Sequence, residues 1–245
     1  MKIIVAKDYE SMSEIAAEIV ADVIKNKPDC VLGLATGSTP IGLYKQLIKK
    51  YERGVLSFEK VKSVNLDEYV GLNGEHEQSY RFFMNTNLFD SVNAKKENLH
   101  VPCGVGDMEA NCLNYREIIK ANPIDIQVLG IGGNGHIGFN EPGTAFDSQT
   151  HIVDLTEKTI SDNARFFEDE SMVPRKAITM GIGEIMTAKK IILLASGKNK
   201  ADAIYQTVCG KVSESCPASV LQRHSDVTLV IDEAAASKLD KKFVE

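Results

Sequence analysis

The chain has 245 residues, of which 43% are hydrophobic and 25% charged, and its net charge is −6. That composition suits an ordinary globular core, offers no basic stripe for counterion release on nucleic acid, and contains no apolar run of membrane-spanning length. Five cysteines (Cys30, Cys103, Cys112, Cys209 and Cys216), odd in number and without a C-x-x-C pair, argue against a disulfide scaffold or a structural zinc site.

Lys2 to Ala6 reads as a first strand and not as a signal peptide, so a cytoplasmic protein is expected. No Pro/Gly/Ser-rich linker divides the chain, which points to one domain over 1–245. Ser11 and Glu14 have capping-box spacing, and Ile15, Ile19 and Val23 recur at helical spacing after them. Cys30 to Ala35 is a second strand. Thr36-Gly37-Ser38-Thr39 follows it, with Thr39 as an N-cap and Pro40 at the first helical position. A strand, a hydroxyl-rich turn and a helix N-terminus together make an anion site; the plain alternative is a capped βα turn.

Val61 to Leu66 is a third strand ending in Asp67-Glu68-Tyr69. A carboxylate at a strand's carboxyl end can act as a base or can simply cap a turn, and position alone does not choose. Gln78-Ser79-Tyr80 opens a helix running to Leu88, and Leu99 to Pro102 forms a short connecting strand. Asp107 to Ala121 is a helix with Ala110, Leu113, Ile118 and Ile119 on its apolar face.

Ile124 to Ile131 is a buried strand feeding Gly132, Gly133, Asn134, Gly135, His136, Ile137, Gly138, Phe139, Asn140, Glu141, Pro142 and Gly143. Gly130, Gly132 and Gly135 fit the dinucleotide fingerprint, which requires a helix to open at once. Gly138, Pro142 and Gly143 speak against that helix. His136 and Glu141, in a loop this rich in glycine, can instead converge as acid–base partners.

Beyond this loop, 143–175 reads as containing a mobile lid. Thr150 to Leu155 is a strand, and Thr156 caps a helix carrying Arg165, which is either a solvated charge or an anion ligand. Lys176 to Gly181 and Ile191 to Ala195 are strands. Lys198 and Lys200 stand in a small-residue turn before a helix that starts at Ala201. Val227 to Ile231 is a last strand and Glu233 to Lys241 a last helix. Strands alternating with helices predict an α/β, three-layer Rossmann-like fold, with a mostly parallel central sheet and helices on both faces.

Five stretches, Leu34–Pro40, Asn65–Leu72, Gly130–Pro142, Ser161–Phe167 and Gly197–Ala201, resemble the glucosamine-6-phosphate deaminase (isomerase) family in the family's order. The resemblance implies amino-sugar catabolism: glucosamine 6-phosphate and water give fructose 6-phosphate and ammonia, with no metal or redox cofactor. It implies ring opening by His136 with Glu141, proton abstraction at C2 by Asp67, and phosphate ligation by Gly37, Ser38, Thr39, Arg165 and Lys200. Asn134 departs from members that carry Asp there, and would support His136 without adding charge. The partner implied is a small amino-sugar phosphate, and a monomer or small homo-oligomer is expected. The rivals are a 6-phosphogluconolactonase of the same fold, which carries Arg where this chain has Tyr69, and a non-catalytic sugar-phosphate sensor, which would be expected to lose Asp67 or His136.

Overall fold

The computed structural model describes residues 1–164, 167, 169, 172–240 and 243. A seven-stranded sheet forms its middle layer: β1 (Lys2–Ala6), β2 (Val31–Leu34), β3 (Lys62–Asn65), β5 (Leu99–His100), β6 (Ile126–Leu129), β9 (Ile191–Ala195) and β10 (Val227–Asp232). Their order is β1-β10-β9-β6-β2-β3-β5, and every pairing is parallel. Such strands are covered on both faces and so read as continuous apolar runs. Alternate residues face two separate cores. Leu32, Leu34, Ile126, Val128, Ile192 and Leu194 meet α1 (Tyr9–Asn26), α2 (Ile41–Glu52) and α3 (Tyr80–Asn87). Val31, Val64, Leu129, Ile191, Leu193 and Ile231 meet α4 (Met108–Ala121), the single-turn α6 (Ile182–Ile185) and α7 (Ala201–Cys209).

A second, smaller sheet lies beside the parallel one and is not anticipated from the sequence. It consists of β4 (Asp67–Tyr69), β8 (Lys176–Thr179) and β7 (His151–Asp154), in the order β4-β8-β7, and is antiparallel. Only Leu66 separates β3 from β4. Its N–H donates to Leu34 O (3.1 Å) and its C=O accepts from Met180 N (2.7 Å), so one residue belongs to the pairing of both sheets. The helix α5 (Glu157–Ala164) follows β7, with Thr156 Oγ1 accepting from Thr159 N (3.2 Å).

Several local expectations are corrected. The first helix is capped three residues before Ser11: Asp8 accepts from Ser11 N (2.8 Å) because its carboxylate is the stronger acceptor at a helix N-terminus. Pro40, not Thr39, occupies the N-cap position of α2, and no side chain of its own turn caps it. The buried face of α4 is Cys112, Tyr115 and Ile119, while Leu113 is 60% exposed; Tyr115 turns the helix by donating to Asn65 O (2.6 Å). Residues 233–238 form turns instead of a final helix, with Asp232 accepting Ala235 N–H (2.7 Å) at their start. All five cysteines are free thiols, and among the described residues no helix is long and apolar enough to cross a membrane.

Candidate active site

The carboxyl ends of four adjacent strands, β9, β6, β2 and β3, open onto one cleft of about 320 Å³. This is the ligand side of an open parallel sheet. The turn after β2 contributes Thr36, Gly37, Ser38 and Thr39. The β3–β4 junction contributes Asp67, the loop after β6 contributes Gly132, Gly133, His136 and Gly138, and the turn after β9 contributes Asn199 and Lys200. Tyr80 closes one wall, stacked on Phe139 with ring centroids 6.0 Å apart. Asn134 and Glu141 stand behind His136. Arg165 lies outside the described residues.

The loop after β6 folds back on itself. Gly132 N donates to His136 O (2.9 Å) and Asn140 N to Ile137 O (3.1 Å). Two glycines are needed for this. A Cβ on Gly132 would lie 2.3 Å from the His136 ring, and Gly138 has φ +58 with Asp67 on one side. Asn140, fully buried, donates to Ile137 O and Met180 O (both 2.9 Å) and so ties the loop to β8.

Glu141 is the centre of the polar network. One carboxylate oxygen, Oε2, accepts from Asn134 Nδ2 (2.7 Å) and lies 3.5 Å from His136 Nδ1, an ion-pair distance too long for a formed hydrogen bond. The other, Oε1, accepts from Thr159 Oγ1 (2.7 Å). Burial alone would raise this carboxyl, but the imidazole, the threonine hydroxyl and the amide together hold it down at about 2. Asn134 does not bond the imidazole. It bonds Glu141 and accepts from His136 backbone N–H (3.2 Å), which fixes the partner instead of the ring.

Asp67 is treated in the opposite way. It is 6% exposed, and no hydrogen bond or cation from the described residues reaches its carboxylate. Burial, with the Glu68 carboxylate adding repulsion, pushes its carboxyl up to about 8. A carboxylate deprived of water is a stronger base. Glu68, which the sequence leaves without a role, accepts from Tyr69 N (2.8 Å), Tyr80 N (2.8 Å) and Arg81 N (3.0 Å). It therefore anchors the start of α3 beside Asp67. Burial raises its carboxyl too, against those three N–H groups.

The turn before α7 is held from below. Asp232 accepts from Ser196 Oγ (2.6 Å) and from Gly197 N (3.0 Å), and Gly197 has φ +94. Thr159, Glu68, Tyr80, Asn199 and Asp232 are the members that sequence reasoning missed. Among the described residues no group of three or more His, Cys, Asp or Glu side chains is placed to hold a metal ion.

Fold and cleft together define a Rossmann-like α/β protein with acid–base side chains at the carboxyl ends of its parallel strands. The chain belongs to the family of glucosamine-6-phosphate isomerases and 6-phosphogluconolactonases, whose model matches residues 7–230. It is 58% identical over 250 residues to the glucosamine-6-phosphate deaminase of Thermoanaerobacter sp. (strain X514), covering 100% of this chain and 99% of that protein. It is 54% identical to the glucosamine-6-phosphate deaminase of Clostridioides difficile (strain 630), covering 99% and 98%. Among solved structures, that of a monomeric glucosamine-6-phosphate deaminase superposes with a TM-score of 0.95 at 51% identity, covering 97% and 99%. The 6-phosphogluconolactonase of Leishmania guyanensis reaches 0.76 at 20% identity, covering 98% of each chain, and shares the fold.

Proposed function

We propose that the chain converts glucosamine 6-phosphate and water into fructose 6-phosphate and ammonia. The observation that carries this is the placing of two oppositely biased carboxylates around one cleft: Asp67 on its wall, made more basic by burial, and an ionised Glu141 behind His136. The names of the relatives at 54–58% identity support the same reading.

In this reading His136 moves a proton from the anomeric hydroxyl to the ring oxygen, and the sugar opens to its aldehyde. Glu141 keeps a charge ready for the imidazolium that forms on the way. Once open, the C2 proton is acidified by the C1 carbonyl. Asp67, ionised, takes it; the electron pair forms the C1–C2 double bond while the carbonyl π pair moves to O1, which takes a proton. Return of a proton to C1 moves that double bond to the C2–N bond, and water hydrolyses the resulting imine, releasing ammonia. A phosphate held by Gly37, Ser38 and Thr39, with Lys200 and Arg165, anchors the far end so that C1 and C2 lie between the two acid–base groups.

The lid expected within 143–175 fits this scheme, since Thr159 on α5 bonds Glu141 directly. We read it as part of one domain over 1–245, in a cytoplasmic monomer or small homo-oligomer. The monomeric solved relative supports that state.

The test is to follow fructose 6-phosphate and ammonia together from glucosamine 6-phosphate with purified protein. Equal release of the two is expected. No release, with 6-phosphogluconolactone hydrolysed instead, would place the chain on the other branch of its family.

A further inference from the structure

The helix behind the anion turn has no cap of its own. Pro40 fills the N-cap position of α2 without a side-chain acceptor, and Thr39, whose hydroxyl the sequence assigns to that task, lines the cleft instead. The missing cap comes from another helix. Gly42 N–H donates to Tyr9 Oη (2.8 Å), and the same hydroxyl donates to Ser38 O (3.1 Å). Tyr9 is the first residue of α1, and Ser13 Oγ donates to its backbone carbonyl (2.8 Å). The two helices approach so closely that a Cβ on Gly42 would lie 2.2 Å from Ser13 Oγ and 3.0 Å from Tyr9 Oη.

We propose that Tyr9 is a positioning residue for the sugar phosphate: an external cap whose single hydroxyl clamps the Ser38 peptide against α2. The clamp fixes the turn 37–39 before ligand arrives, with its hydroxyls and remaining N–H groups left for the phosphate. One hydroxyl satisfies both an orphan N–H of α2 and the Ser38 carbonyl. Without it the turn must be ordered by the ligand, and that cost appears as weaker binding. The proposal rests on the sugar-phosphate reading of the cleft, and it makes Tyr9 act through Ser38, without touching the reacting atoms.

The variant Tyr9→Phe removes only the hydroxyl. The KM for glucosamine 6-phosphate and the dissociation constant for inorganic phosphate, measured by calorimetry, should rise together by about three- to tenfold. The turnover number should stay within about twofold, because the interaction is the same in ground and transition states. A variant with unchanged KM and unchanged phosphate affinity overturns the clamp, even if its melting temperature falls; so does one that loses turnover and keeps KM. If the native chain fails to turn over glucosamine 6-phosphate, the reaction is wrong but the phosphate titration still judges the clamp. A native chain that binds no phosphate overturns both.

Discussion

The start of β4 brings one carboxylate to the cleft and the loop 132–143 sets another behind it at His136, and the two are surrounded differently. Glu141 is given three partners, a threonine hydroxyl, an asparagine amide and an imidazole, and is held at about 2. Asp67 receives no hydrogen bond from the described residues, has a second carboxylate next in sequence, and is pushed up to about 8. Both are buried, so burial does not separate them; the donors around them do. In the proposed reaction, two groups of one chemical type thus take two jobs, a standing counter-charge and a proton acceptor.

The largest break in this pair is Asp67→Asn. It should lower turnover by about 10³-fold by removing the base. It should also raise stability at neutral pH by about 1–3 kcal/mol, read from urea unfolding. The sign follows from the shift: the folded carboxyl keeps its proton up to about 8 while the unfolded chain releases it near 3.8, so stability is lost as pH rises between those values. A variant no more stable than the native chain at neutral pH would show that Asp67 is not held in this state. For the native chain, kcat/KM should climb as pH approaches about 8.

Glu141→Gln comes next, with turnover falling by about 10²-fold as His136 loses its counter-charge. Here the linkage runs the other way. The depressed carboxyl contributes stability that is present above 4.5 and lost as pH falls towards about 2. Acid unfolding of the variant should lose that slope; an unchanged acid transition would mean that the three donors do little for the carboxylate. The smallest effect is expected for Glu68→Gln, which weakens the anchor of α3 by about 1–2 kcal/mol while turnover at saturating substrate persists. Thermal unfolding measures it, and an unchanged melting temperature would leave Glu68 as a mere source of repulsion.

The parallel layer and the residues of the cleft were readable because each is written locally. The strands are short apolar runs, and His136, Glu141, Asp67, Ser38 and Lys200 all sit in turns next to them. The second sheet was hidden because Leu66 alone joins β3 to β4, with no glycine or proline to mark the change of sheet. Position could not decide whether Asp67 is a base or a cap; the structure gives the capping work to Glu68, one residue on. Tyr9 and Asp232 escaped because their partners lie 29 and 36 residues away, and no spacing rule reaches that far.

Leu66 also has a metrical consequence. The turn 36–39 continues β2, and Asp67 follows β3, and these two strands are paired neighbours through Leu34 and Asn65. Neighbouring strands lie about 4.8 Å apart, a spacing set by backbone hydrogen bonds and not by any side chain. Because Leu66 is bonded to both sheets, Asp67 cannot slide along that gap. In the proposed reading, a phosphate on the turn and a C2 at Asp67 are therefore held at a separation that backbone pairing sets and no side chain adjusts.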